Sequence, residues 1–170
     1  MDVFEAVRTM LAIRDYADRP IPADVVHRIV EAGRLTGSSR NRQQWDFVVV
    51  TERAALVQLG ALAPTGPYIA QAALAIAVVV PDSPVGYMDG GRAAQNMMLA
   101  AWGAGVGSNW VGNMNTPEVK TLLGIPTEKL VLAVLPFGYP AKPVGKGKKQ
   151  RKPLGEVAHQ GRFGTPFAST

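Results

Sequence analysis

Ten consecutive residues, Thr36-Gly37-Ser38-Ser39-Arg40-Asn41-Arg42-Gln43-Gln44-Trp45, concentrate hydroxyl, carboxamide and guanidinium groups. These are the donors and acceptors needed to hold a polar heterocycle with an attached phosphate chain. The same composition is common in a solvated helix-to-strand connection. On these residues alone, a cofactor site and an ordinary loop are equally good readings.

A second concentration of chemistry is cationic. Six of the 18 basic residues (Lys142, Lys146, Lys148, Lys149, Arg151, Lys152) fall between positions 142 and 152 with no acid among them, leaving 12 cations against 13 acids elsewhere. The net charge of +5 is therefore local, which points to a local anion such as a phosphate; a solvated basic tail is the alternative. Tyr139 is the only aromatic residue near this stretch, so nucleic-acid bases would find no stacking platform and a nucleic-acid partner is not expected.

Much other chemistry is excluded. The chain has no cysteine, hence no disulfide, thiolate nucleophile or thiolate metal site. His27 and His159 have no carboxylate or histidine at ligand spacing, so no metal is expected. There is no Gly-x-Ser-x-Gly elbow. Gly105-Val-Gly107-Ser-Asn-Trp110 puts tryptophan where a dinucleotide fingerprint needs its third glycine, and Gly145-Lys-Gly-Lys148 lacks P-loop spacing. What remains is chemistry brought by a bound cofactor.

The elements that must position these groups can be read from periodicity. At 170 residues, 47% apolar and 18% charged, the chain is long enough for one domain with a real core. Val3, Val7, Met10 and Leu11 predict a helix over 2–12, and Val25, Val26, Ile29 and Val30 a second one opened by Pro22 and ended near 33–35. A loop over 36–45, a strand at 47–51, a helix at 53–62 and a doubly buried strand at 73–80 follow. The longest helix is expected over 89–104, apolar nearly all round in its second half, with a partner subunit supplying part of its cover. A short strand at 109–111, a helix at 117–123 and a strand at 130–137 complete a body over 1–140; residues 141–170 read as a basic extended arm of the same domain. Irregular alternation without βαβ units implies α+β, a central sheet flanked by helices. The opening residues read as an amphipathic helix and not as a signal peptide, and the longest apolar run is too short for a bilayer; a cytoplasmic protein without membrane contact is expected.

The motifs, in their order, resemble the FMN-dependent nitroreductase family, whose small members carry Pro-Ser-x-x-Asn-x-Gln-Pro-Trp between the second main helix and the first strand. Here the segment is Gly37-Ser38-x-x-Asn41-x-Gln43-Gln44-Trp45, with both prolines replaced. Gly105-Val-Gly107-Ser108-Asn109-Trp110-Val111-Gly112 is similar to the segment that ends the family's long helix. Gly138-Tyr-Pro140 and Lys149-Gln-Arg151-Lys-Pro153-Leu154 are similar to its last strand and basic arm.

The resemblance implies a mixed or antiparallel sheet flanked by helices, in an obligate homodimer with an exchanged C-terminal arm and flavin sites at the subunit interface. It implies an NAD(P)H-dependent FMN oxidoreductase that passes electrons to nitroaromatics, quinones or similar acceptors in two half-reactions, with no catalytic residue of its own. Ser38, Asn41 and Gln43 become flavin contacts, with Ser39 and Arg40 beside them; Trp110, Val111, Gly112 and Asn113 offer main-chain N–H groups to flavin N5; Arg14, Lys149 and Arg151 hold the phosphate. One departure stands out. The family's Arg-Arg-Ser-x-Arg is Met10-Leu11-Ala12-Ile13-Arg14 here, so only Arg14 survives. That leaves room for a second reading, a non-catalytic protein that binds or sequesters flavin on the same scaffold.

Overall fold

The computed structural model describes residues 1–145 and 149–167; Lys146 and Lys148 of the basic stretch lie outside them. Four strands, β1 (Asp46–Val50), β2 (Leu74–Pro81), β3 (Gly107–Ser108) and β4 (Lys129–Gly138), form one sheet in the order β1-β2-β4-β3. Its strand pairings are all antiparallel, and a parallel bridge from Ala12 to Ser108 adds the N-terminal segment at the β3 edge. The helices are α1 (Val3–Thr9), α2 (Ala23–Arg34), α3 (Arg53–Ala61), α4 (Pro84–Gly103), α5 (Pro117–Leu123) and α6 (Leu154–Val157). This is the expected α+β arrangement.

β2 explains why its sequence is apolar without a break. Leu74, Ile76, Val78 and Val80 face Ile29 of α2 and Ala93 and Met97 of α4. The alternate residues Ala75, Ala77 and Val79 face Leu56 and Leu59 of α3 and Val119 of α5. A strand with helices on both faces has no polar side to show.

Four features depart from the sequence expectation by more than a residue. Helix α1, capped by the Asp2 carboxylate on the Glu5 N–H, stops at Thr9 and not at 12. Beyond it the chain extends so that the Ile13 N–H reaches the Ser108 carbonyl (2.9 Å) and Ile13 and Tyr16 are buried against the sheet edge. Helix α4 begins at Pro84, five residues before the expected 89. Ser83 caps it through Gly86, and Gly86 and Gly90 let it lie flush on the strands. A Cβ at Gly90 would come within 2.7 Å of Val80 Cγ1 and 2.8 Å of Leu132 Cδ2. Gly86 hides the first turn from a propensity reading, although packing requires a glycine there.

The short strand lies at 107–108, not 109–111, with Val111 forming only a bridge to Val134. Finally, the arm is not wholly extended. It contains α6 and a small hairpin closed by a His159–Pro166 bridge.

The end of α4 is set by Gly105 in the left-handed region (φ 77°). The Val106 N–H returns to the Ala101 carbonyl and the Gly105 N–H to that of Trp102, so the helix closes in a Schellman motif. This turn delivers residues 107–113 to the edge of β4.

Candidate functional site

Residues 36–45 leave α2 and run back along α4. Close approach begins at Gly33, where a Cβ would lie 3.0 Å from Met97. The Asn96 amide then donates to Thr36 Oγ1 (2.8 Å), whose own proton goes to the Ala32 carbonyl (3.1 Å). Further along, the Ser39 N–H donates to Asp89 Oδ2 (2.9 Å), and the Gln43 N–H to Ser38 Oγ (2.9 Å). Asp89 is 3% exposed, and Arg92 lies 3.7 Å from its other oxygen.

Within this frame Arg40, Asn41 and Gln43 all adopt the left-handed region (φ 52°, 54° and 51°), and their side chains are exposed. Such a conformation costs a non-glycine residue roughly 1 kcal/mol or more and persists only where surrounding contacts over-determine it. The loop is tied to α4 through Thr36 and Ser39 and closed on itself by the Gln43 N–H on Ser38.

The glycine-rich segment presents main-chain groups. The Trp110 N–H is taken by Asn109 Oδ1 (2.8 Å) and the Val111 N–H by the Val134 carbonyl (3.0 Å). The N–H groups of Gly112 and Asn113 have no partner among the described residues, and Asn113 is again left-handed (φ 58°). Of the four donors expected here, two are therefore free to meet a ligand. The Asn109 amide, 5% exposed, donates to the Tyr68 hydroxyl (2.9 Å), which anchors this segment to the turn at 67–71. Nearby Tyr16 is buried and its hydroxyl donates to the Ile13 carbonyl (2.8 Å). Burial, then the neighbouring Tyr68, push its pKa far above the ordinary tyrosine value, so it stays a neutral donor.

The cations come from the segment after α1 and from the arm. Arg14 is one residue beyond the Ile13–Ser108 hydrogen bond and is exposed. Lys149 Nζ donates to the Val7 carbonyl (2.6 Å), which ties the arm to the last turn of α1. Arg151, two residues on, is exposed and among the described residues bonds only the Gln150 carbonyl. Desolvation, then the Arg151 charge, hold the Lys149 pKa below the ordinary lysine value. Two cations have thus been placed side by side without a carboxylate partner among the described residues.

The structure sorts the sequence-derived residues into two groups. Arg14, Trp110, Val111, Gly112, Asn113, Lys149 and Arg151 belong with the C-terminal end of α4 and the β3 edge. Ser38, Ser39, Arg40, Asn41 and Gln43 belong with its N-terminal half at Asp89. Those ends are about 20 Å apart at 1.5 Å per residue. Cavities of about 650 Å³ between α3 and α5 and about 560 Å³ between Met1, Trp102 and residues 140–145 are lined by none of them.

The sequence reading missed Tyr68, Asp89, Arg92, Asn96 and Asn109. Only the spacing of Asp89, Arg92 and Asn96, at i, i+3 and i+7, could have revealed that they share one helix face.

Comparison with known proteins agrees with this fold and order of segments. The family model described as "Nitroreductase family" matches residues 8–83 and 67–139, and the chain belongs to that family. A protein of Methanothermobacter thermautotrophicus, provisionally named NADH dehydrogenase/NAD(P)H nitroreductase, is 32% identical over 155 residues, covering 85% of this chain and 81% of its own. A Bacillus subtilis protein named FMN reductase [NAD(P)H] is 27% identical over 94% of this chain and 73% of its own. A crystal structure from Bacteroides thetaiotaomicron, under the same provisional name as the first relative, superposes with a TM-score of 0.85 at 28% identity, covering 95% of this chain and 98% of that one.

Proposed function

We propose that this protein is an NAD(P)H-dependent FMN oxidoreductase whose flavin sites are completed between two copies of the chain. The observation that carries the reading is a set of free main-chain donors together with cations that have no carboxylate partner among the described residues. The Gly112 and Asn113 N–H donors follow the C-terminal end of α4, the Lys149–Arg151 cation pair lies beside α1, and an exposed, left-handed amide loop lies at the far end of α4.

This donor set fits FMN. Lys149, Arg151 and Arg14 match a phosphate dianion through charge-assisted hydrogen bonds. Asn41 and Gln43 match the polar edge of a heterocycle, with Ser38 closing the loop beneath them. The free N–H groups of Gly112 and Asn113 match an acceptor on the ring's reactive edge. Met10 and Leu11, at the family's Arg-Arg pair, instead pack into the core and add nothing to a phosphate site.

When bound, the flavin would supply the redox chemistry, accepting electrons from NAD(P)H and passing them to an acceptor such as a nitroaromatic or a quinone. The protein's own residues bind the phosphate, orient the ring and stabilise negative charge on it through fixed dipoles. Tyr16 is neutral and engaged, so it supplies no acid or base.

Apo-protein is expected to bind FMN with quenching of flavin fluorescence and a shift of the visible band, and the loaded protein to oxidise NAD(P)H when a quinone or nitroaromatic is added. Failure to bind FMN would overturn the proposal. Binding without turnover would favour the second reading, a flavin-holding protein, which the loss of the Arg-Arg-Ser segment supports.

A further inference from the structure

The first half of α4 carries a polar stripe that the flavin chemistry does not use. Asp89, Arg92 and Asn96 stand at i, i+3 and i+7, hence on one face of the helix. The chain leaving α2 is laid along that face in the opposite direction. Gly33 touches Met97, Thr36 bonds Asn96, Gly37 lies under Arg92, and Ser39 bonds Asp89. A Cβ at Gly37 would meet Arg92 Nη2 at 3.3 Å, so the missing side chain there lets the guanidinium come close. Asp89 is almost fully buried, yet it spends one oxygen on a main-chain N–H of the loop and keeps the other beside Arg92. A buried carboxylate is costly unless its hydrogen bonds are made. The loop that makes one of them contains three non-glycine residues in the left-handed region.

We propose that Asp89 is a positioning residue for cofactor binding. With Asn96 at the other clamp, it holds the loop 38–43, in which Arg40, Asn41 and Gln43 are left-handed, in the shape that presents Asn41 and Gln43, although it touches no cofactor itself. The inference rests on residues 38–43 being the flavin loop. It makes α4 the part that sets the loop's shape before any ligand arrives, so affinity depends on a carboxylate that lies behind the loop.

The test is a set of FMN titrations followed by fluorescence, on full-length Asp89→Ala, Asp89→Asn, Asn41→Ala and the Asp89→Ala/Asn41→Ala pair. Circular dichroism and melting of each apo-protein monitor folding. Asp89→Ala is expected to weaken FMN by about tenfold or more, the scale of one lost charge-assisted hydrogen bond. Asp89→Asn retains an oxygen acceptor for the Ser39 N–H and is expected to stay within about threefold of wild type. Because Asp89 acts through the loop, the pair is expected to lose little beyond the worse single variant.

Unchanged affinity in Asp89→Ala, an equal loss in Asp89→Asn, or strictly additive losses in the pair would each overturn the inference. If Asn41→Ala also leaves FMN affinity unchanged, the flavin-loop reading itself fails. A loss in Asn41→Ala with none in Asp89→Ala sinks only the positioning role. Should Asp89→Ala not fold, Thr36→Val carries the test by removing the hydroxyl that accepts from Asn96. A loss of about threefold is expected, and unchanged affinity would overturn the proposal.

Discussion

Lys149 holds its proton less firmly than an ordinary lysine, because it is partly desolvated beside the Arg151 charge. A lysine is charged below its pKa and neutral above it. This lysine therefore loses its charge at a lower pH than the ordinary 10.5 as the solution becomes alkaline. A bound phosphate dianion favours the charged form and pulls the pKa back up, so binding takes up a proton in that range. FMN affinity is expected to fall in wild type as the pH rises through the alkaline range below the ordinary 10.5, and Lys149→Met to flatten that limb, as titrations at several pH values would show. A limb equally steep in both proteins would separate Lys149 from the phosphate. Arg151→Ala and Arg14→Ala should each weaken FMN by roughly tenfold or more, with the loss shrinking at high salt. These cations were legible in the sequence because charge and spacing survive without a structure. Tyr68 and Asp89 were not, because a single tyrosine in a Pro/Gly loop or a single aspartate in a helix leaves no periodic trace. Their roles come from bonds to Asn109 and Ser39, 41 and 50 residues away in the chain.

At the scale of elements, α4 shows where sequence reading succeeds and where it fails. Its second half was legible because Ala93, Ala94, Met97, Met98 and Ala101 repeat at helical spacing, and these are the residues buried in the structure. Its first five residues were missed because Gly86 lowers helix propensity, while the need for glycine there and at Gly90 arises only when the helix lies on the sheet. That difference can be measured on neighbouring glycines. Gly90→Ala would drive a methyl group to 2.7 Å from Val80 Cγ1 and is expected to destabilise by about 1–3 kcal/mol. Gly91→Ala meets nothing within 4 Å and is expected to stabilise by about 0.5–1 kcal/mol. Denaturant melts of the two variants should move in opposite directions. A shift of the same sign in both would mean that α4 does not press on the sheet as described. The sheet was legible for a simpler reason. β2 is buried and rich in β-branched residues and β4 is largely apolar, whereas the two-residue β3 is defined by pairing alone.

At the scale of the whole molecule, the two groups of cofactor-directed residues lie at opposite ends of α4, and one chain also leaves much apolar surface uncovered. Val3 and Phe4 of α1 are 77% and 76% exposed, and Leu154, Val157 and Phe163 of the arm are exposed as well. A pair of chains related by a twofold axis could cover such surfaces twice and bring each chain's loop to the other's phosphate cations. The sequence hinted at this through the all-round apolarity of α4, but which residues meet across an interface is a property of the pair and not of any local pattern. Complementation reads it directly. Suppose one chain carries Asn41→Ala and the other Arg151→Ala, each homodimer binding FMN poorly. If the loop serves the partner's site, each mixed dimer contains one site with both lesions and one with none. Random exchange of equal amounts makes about half of the dimers mixed, so about a quarter of all sites should regain wild-type affinity. If loop and cations serve a site within the same chain, every site keeps one lesion and mixing restores nothing. Titrating FMN into the two proteins before and after denaturation and joint refolding distinguishes the outcomes, with sedimentation of the same samples reporting whether pairs have formed.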